Sequence, residues 1–169
     1  MSDGPQKPDS IPQSAVWDAE QRKWEIAQHD AEGQRDGERL LYREDGSLYS
    51  REHFRAGVPD GPFWVYHPNG AIAREGAYTR GVLDGAVVAR RSDGPTFEQL
   101  RDCCVPENAW ELRFSYRSGA LQNETFYDRQ GRALLDDGSF YPDRPAGVEP
   151  AAYFDQSLRR WRLDTPSEE

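Results

Sequence analysis

The chain has 169 residues, of which 21 are Lys or Arg and 30 are Asp or Glu, and its formal net charge is −9 at pH 7. An acidic protein lacks the positive field that gathers phosphate groups, so nucleic acid and anionic membranes are not expected partners. No apolar run approaches the roughly 20 residues that cross a bilayer, and residues 1–12 lack the features of a signal peptide. Composition therefore predicts a cytoplasmic protein with a disordered leader over residues 1–12.

The amino-acid composition favours a thin, turn-rich β-structure. Only 36% of the residues are hydrophobic, but the chain contains five Trp, eight Tyr and seven Phe together with 15 Gly. Aromatic side chains cover a large area per residue and are enriched in strands. Cys103 and Cys104 are adjacent, so they are poorly placed to close a stabilising disulfide loop. The role of these two cysteines stays open.

Three series of glycines repeat with a period of 24 residues: Gly33, Gly57 and Gly81; Gly37, Gly61 and Gly85; and Gly46, Gly70 and Gly94. Each unit contains two Asp-Gly or Asn-Gly pairs, which are the preferred centres of tight hairpin turns. The sequence therefore predicts one β-hairpin per unit. The predicted turns are Asp36-Gly37, Asp45-Gly46, Asp60-Gly61, Asn69-Gly70, Asp84-Gly85 and Asp93-Gly94.

The same period extends the array in both directions. A degenerate first unit begins near Gln13, and Gly119 continues the series of Gly46, Gly70 and Gly94 after a one-residue insertion. We therefore predict an all-β fold, an elongated antiparallel meander of about five hairpin repeats over residues 13–138. Its strands pair in sequential order, without a helix between residues 36 and 95.

Residues 139–169 are predicted to cap the array. Tyr153, Phe154, Leu158 and Trp161 fall at helical spacings, in a stretch without glycine. This pattern indicates a short helix over residues 150–161.

Alternation along the predicted strands places the aromatic and aliphatic residues on one face of the sheet. The columns of this stripe are Leu40, Trp64, Val88 and Leu112; Tyr42, Tyr66 and Phe114; Trp24, Leu48 and Ile72; and Phe54, Tyr78 and Tyr127. Arg51, Glu75 and Glu124 are expected on the opposite, solvated face. A one-layer sheet leaves such a stripe for a partner or for the chain tails to cover. We predict that Tyr42, Trp64, Tyr66 and Tyr78 bind a partner, because central Trp and Tyr residues are enriched among interface hot spots.

The sequence gives no sign of a catalytic, cofactor or metal site. His29 and His53 share a column, but equivalent columns lie roughly 9–10 Å apart, too far for both to bind one metal ion. Asp36, Asp60 and Asp84 each precede a glycine, which indicates turn residues and not calcium ligands. The expectation is a non-catalytic protein without cofactor.

The two central units resemble a known repeat. Phe63-Trp64-Val65-Tyr66, the Asn69-Gly70 turn and Glu75-Gly76-Ala77-Tyr78 are similar to the bacterial variant of the MORN repeat. The resemblance covers residues 13–138 with decreasing fidelity, and Arg22, Asp102 and Asn108-Ala109 depart from the pattern. It implies two classes of function: antitoxins of toxin–antitoxin pairs, and scaffolding or adaptor modules.

Two functional hypotheses follow. The first is an antitoxin or immunity-type protein that binds and neutralises a protein partner, and the charge of −9 would speed its association with a basic toxin. The alternative is an adaptor or structural subunit of a larger bacterial assembly. Lipid binding is opposed by the acidic balance. The identity of the partner, the oligomeric state and the binding face are left open by the sequence.

Overall fold

A computed structural model describes residues 4–92, 105–135, 138–140, 153–155 and 160–162. These residues form 13 strands and no helix. The strands are β1 (Val16–Asp18), β2 (Lys23–His29), β3 (Arg35–Tyr42), β4 (Leu48–Arg55), β5 (Val58–Tyr66), β6 (Ile72–Thr79), β7 (Val82–Leu83), β8 (Gly85–Arg90), β9 (Glu111–Arg117), β10 (Ala120–Tyr127), β11 (Ala133–Leu134), β12 (Tyr153–Asp155) and β13 (Arg160–Arg162).

Eleven strands form one open antiparallel sheet whose spatial order follows the chain. The order is β1-β2-β3-β4-β5-β6-β8-β9-β10-β11, and β7 pairs with β6 beside this path. The predicted all-β meander with sequential pairing is confirmed, as is the absence of a helix between residues 36 and 92. In the described part of the chain there is no helix of the length and apolarity that crossing a membrane requires.

The predicted turns at Asp45-Gly46 and Asn69-Gly70 are confirmed. In each, the first residue of a five-residue loop donates its N–H to the carbonyl of the fifth, Arg43 to Ser47 and His67 to Ala71, both at 2.8 Å. The Asp45 and Asn69 side chains accept the N–H two residues later, at 2.9 and 3.0 Å. Gly94 lies outside the described residues.

The turns predicted at Asp36-Gly37, Asp60-Gly61 and Asp84-Gly85 are wrong, because the chain reverses a few residues away. The tight turns are Ala56-Gly57, Arg80-Gly81 and Ser118-Gly119, in which both residues have positive φ, such as 45° and 80° for the first pair. A two-residue turn of this kind requires positive φ at both positions. The first glycine of each Gly-x-x-Asp-Gly motif is therefore the turn residue.

Each Asp-Gly pair instead belongs to a bulge that supports the next turn. Around Gly61, with φ 124°, β5 holds two extra residues, since Glu52 pairs with Phe63 whereas Phe54 pairs with Pro59. The Asp60 carboxylate accepts the N–H of Arg80 at 3.5 Å. Asp84 accepts the N–H of Ser118 at 3.2 Å in the same way. The recurring aspartate therefore links one hairpin to the turn of the next.

The two glycine environments predict unequal effects of Gly61→Val and Gly70→Val. Both positions have positive φ, which a β-branched residue resists at about 1–3 kcal/mol. A Cβ at Gly61 would also lie 3.0 Å from the Cβ of His53, whereas Gly70 has no atom within 4 Å. We expect thermal unfolding to show a larger loss of stability for Gly61→Val, with Ala120→Val as a control in a strand. Melting of both glycine variants at the wild-type temperature would contradict these turn assignments.

The fourth unit is longer than the sequence alignment predicted. The Gly119 N–H donates to the carbonyl of Leu83 at 2.8 Å, as the N–H of Gly81 does to Pro59 at 2.7 Å. Gly119 therefore corresponds to Gly81 and not to Gly94. The spacing is 119 − 81 = 38 residues against the period of 24, so the insertion is 14 residues and not one. It falls in the connection from β8 to β9.

One-residue bulges in β4 and β6 change which side chains share a face. Leu41 pairs with Ser50 but Tyr42 pairs with Leu48, which leaves Tyr49 as an extra residue. Ala73 is the extra residue at the same place in β6. A one-residue insertion turns all later side chains of a strand to the other face. The single stripe and the separate charged face predicted from strict alternation are therefore wrong.

The larger part of the core lies on one face of the sheet, which we call the buried face. Its members have at most 7% of their surface exposed: Leu41, Phe63, Val65, Val87, Ala89, Leu112, Phe126 and Leu134. Phe63, Val65, Ala73 and Val87 form one cluster, with Phe114 and Tyr116 packed against it. The buried positions alternate with half-buried ones along β5 and β8.

Both ends of the chain differ from expectation. Ile11, within the predicted disordered leader, is 3% exposed and packs with Ala15 and Trp24. The helix predicted over residues 150–161 is wrong for the described residues there, since Tyr153–Asp155 and Arg160–Arg162 pair as antiparallel strands. Tyr, Phe and Trp favour strands, and this preference outweighs their helical spacing.

Candidate protein-binding face

The side of the sheet opposite the buried face carries a half-buried apolar surface, which we call the Trp64 face. Trp64 lies directly between Arg51 on β4 and Glu75 on β6. Seven apolar members of this face are half-buried: Leu40, Tyr42, Leu48, Trp64, Tyr66, Ile72 and Val88. At its edge, Tyr42 packs against the buried Trp24. The seven side chains come from five neighbouring strands, and the charged residues Arg51 and Glu75 separate Leu40, Trp64 and Val88 along one row.

The indole of Trp64 is held by two neighbours on β4. The guanidinium of Arg51 lies 5.5 Å from the ring centre, within the range of a cation–π interaction. The His53 ring meets the indole edge-on, with 6.4 Å between centres. Arg51 also bonds to Glu38 at 2.5 Å. These contacts hold a large apolar ring in place at the centre of the face.

A row of ion pairs continues across the strands beyond Trp64. Arg90 bonds to Glu75 at 2.7 Å and to Glu111 at 2.8 Å, and Arg113 bonds to Glu111 at 2.7 Å. Burial lowers the pKa of Arg90, but its hydrogen bonds to Glu75 and Glu111 outweigh that effect and raise the pKa above its ordinary value. These charges are therefore fixed and mutually compensated.

The charges that flank the apolar surface balance. Glu38, Glu75 and Glu111 stand against three arginines of the same row, so 3 − 3 = 0. The net charge of −9 therefore resides elsewhere in the chain. The Trp64 face therefore presents apolar rings beside paired charges.

The structure brings together three of the four residues predicted to bind a partner. Tyr42, Trp64 and Tyr66 lie on the Trp64 face. Tyr78 does not, because the bulge at Ala73 turns it to the buried face, where its ring centre lies 5.0 Å from that of Phe63. Its assignment to the same surface is therefore corrected.

The buried face contains an ionic cluster that the sequence analysis missed. Glu25 bonds to Arg35 at 2.9 Å and to Arg39 at 2.8 Å, and Arg39 also bonds to Glu52 at 3.1 Å. The side chain of Arg39 is only 10% exposed. The repeat could have indicated this cluster. Arg39 occupies the position that Phe63 and Val87 occupy in the next two units, so a charged residue stands where the other units have a buried apolar one.

Acid is expected to weaken the fold through Glu25. Burial raises the pKa of Glu25, but hydrogen bonds from Arg39 and Arg35 outweigh it and lower the pKa below its ordinary value. A carboxylate of this kind stabilises the fold above its unfolded pKa of about 4.3, and the contribution is lost as the pH falls through the folded pKa. Urea unfolding of wild type and Glu25→Gln between pH 7 and pH 3 measures this effect. Below about pH 4 the wild type should lose more stability than the variant; parallel curves would contradict the assignment.

The three histidines, His29, His53 and His67, lie in three different environments. His67 is 3% exposed, and its Nε2 lies 2.9 Å from the carbonyl oxygen of Arg90. His53 contacts Trp64, and His29 is exposed at the end of β2. Within these segments, no three His, Cys, Asp or Glu side chains are grouped so as to hold a metal ion.

Comparison with known proteins returns no match for this chain among protein families, curated proteins or solved structures.

Proposed function

We propose that this protein is a non-catalytic protein-binding module whose Trp64 face docks a protein partner. The observation that supports this most is the group of half-buried Trp, Tyr and aliphatic side chains around Trp64 on a sheet of a single layer. Apolar side chains grouped on a surface and rimmed by polar ones are typical of interaction sites. Trp and Tyr at the centre and Arg at the border match the residue types enriched at interfaces.

The partner class follows from the sequence and the charge. The resemblance of the central units to the bacterial MORN variant fits both an antitoxin or immunity-type protein and a scaffold, and the acidic charge supports the first of these. The charge of −9 attracts a basic protein at long range, whereas the balanced Trp64 face makes the contact. Long-range attraction raises the association rate, and apolar contact sets the lifetime of the complex.

Co-expression tests this function. Each protein encoded next to this chain is expressed alone and together with it, and growth is measured. We expect one neighbour to be toxic alone and harmless with the wild-type chain. Tyr66→Ala should protect less well than Val82→Ala, a control change at an exposed apolar residue of β7.

Absence of rescue for every neighbour would contradict the antitoxin assignment. Stable co-purification in fixed stoichiometry with several proteins that are harmless alone would instead assign the chain to the scaffold class. The Trp64 face is the expected contact surface in both cases.

A further inference from the structure

A cavity of about 500 Å³ lies between the N-terminal segment and the first hairpin. Its lining residue Trp24 packs against Tyr42, at the edge of the Trp64 face. Its volume is within the usual range of small-molecule sites, and its wall is mainly apolar. The lining residues are Gly4, Pro5, Lys7, Val16, Trp17, Ala19 and Trp24. The segment packs closely on the hairpin, because a Cβ at Gly4 would lie 2.7 Å from Cδ1 of Trp17.

The side-chain polar groups of this cavity, on Lys7, Trp17 and Trp24, are all hydrogen-bond donors. Lys7 Nζ donates to the carbonyls of Gln13 and Ala15 at 2.7 and 2.8 Å. An ammonium carries three N–H bonds, so one is left, and no carboxylate of the described residues pairs with it. Trp24 is 7% exposed, and its buried Nε1 has no hydrogen-bond partner. Leaving a buried donor unsatisfied costs stability, so an acceptor at this place is favoured.

The apolar part of the cavity wall is formed mainly by two tryptophan rings. The rings of Trp17 and Trp24 meet edge-on with centres 5.2 Å apart, and Lys7 Nζ lies 5.4 Å from the centre of the Trp24 ring. A ligand that fits this wall stacks on Trp17.

We propose that this cavity binds a small carboxylate with an apolar, ring-sized body. The carboxylate accepts hydrogen bonds from Lys7 and Trp24, and the apolar body packs against the ring of Trp17. Cation and indole N–H together select an anion even though the protein as a whole is acidic.

Titration with 3-phenylpropionate and its neutral amide, 3-phenylpropionamide, tests the proposal by calorimetry and tryptophan fluorescence. We expect saturable binding of the acid with a change in fluorescence, and binding of the amide weaker by about tenfold or more, the loss of one charge-assisted hydrogen bond. N-acetyl-Ala-Phe, with a free or an amidated C-terminus, distinguishes two sources of the carboxylate. Tighter binding of this free acid than of 3-phenylpropionate assigns the site to peptide ends, and the reverse order assigns it to small acids.

Three variants separate this site from unspecific attraction. Lys7→Gln should weaken binding of the acid by about tenfold and leave the amide unchanged. Lys23→Gln removes an equal charge from the neighbouring β2, where Lys23 Nζ lies 4.2 Å from the Tyr49 ring centre, and should have no effect. Ala19→Phe fills the cavity from an exposed turn position and should abolish binding. No saturable binding of either acid, equal affinity for acid and amide, or equal effects of Lys7→Gln and Lys23→Gln would overturn the proposal.

Discussion

Phe63→Ala is expected to lower the free energy of unfolding by about 3–5 kcal/mol, the usual cost of removing a buried phenylalanine ring. Phe63 is 3% exposed and packs against Tyr78 and Val87 on the buried face. Gly76 lies opposite Phe63, and a Cβ there would be 2.9 Å from the ring, so the fit is tight. Since domains of this kind are stable by only about 5–15 kcal/mol, the loss is a large fraction of the total.

Trp64→Ala is the matched comparison, because it removes a larger ring from the next residue of the same strand. Trp64 is half-buried on the opposite face, so we expect a smaller loss of about 1–2 kcal/mol. Urea unfolding of both variants, followed by circular dichroism, gives the two values. A larger loss for Trp64→Ala than for Phe63→Ala would show that the buried face is assigned to the wrong side.

Arg39→Leu is expected to cost about 3–5 kcal/mol, although leucine is the more apolar residue. The substitution leaves Glu25 and Glu52 without the cation that bonds to both of them. The side chain of Glu25 is only 14% exposed, so its charge would be left in a poorly solvated place with Arg35 as the remaining partner.

The double variant Arg39→Leu/Glu25→Leu tests whether the loss comes from the unpaired charge. Apolar replacement of a whole buried ion pair is often neutral or stabilising. In the next two units, Phe63 and Val87 occupy the positions equivalent to Arg39, and Tyr49 and Ala73 those equivalent to Glu25. We therefore expect the double variant to recover most of the stability in urea unfolding. Additive losses would contradict a charge-based cause.

The 24-residue period and the order of the strands were predictable, because glycine spacing and turn chemistry are local properties of the sequence. The tight turns were not, since Asp-Gly is a strong turn signal and Ala56-Gly57 and Arg80-Gly81 are weaker ones. Asp60 and Asp84 serve as acceptors for the turn of the following hairpin. That role depends on the pairing of distant strands, which local preference does not encode.

The face of the sheet on which each side chain lies was harder to predict than the strands themselves. Strict alternation fails at Tyr49 and Ala73, where one extra residue reverses the direction of every later side chain. For this reason Tyr42, Trp64 and Tyr66 share a face as predicted, whereas Tyr78 lies on the other. Both bulge residues are the second residue of their strand, in positions that the period makes equivalent.

Binding of the partner by Tyr66→Ala, measured on the same preparation as its circular dichroism spectrum, tests the role of the Trp64 face most directly. The partner is the toxic neighbour that co-expression identifies, and Val82→Ala serves as the exposed control. We expect folded Tyr66→Ala to bind more weakly by about 2 kcal/mol, close to thirtyfold, and Val82→Ala to bind as the wild type does. Folded Tyr66→Ala with unchanged affinity would place the functional surface elsewhere on the sheet.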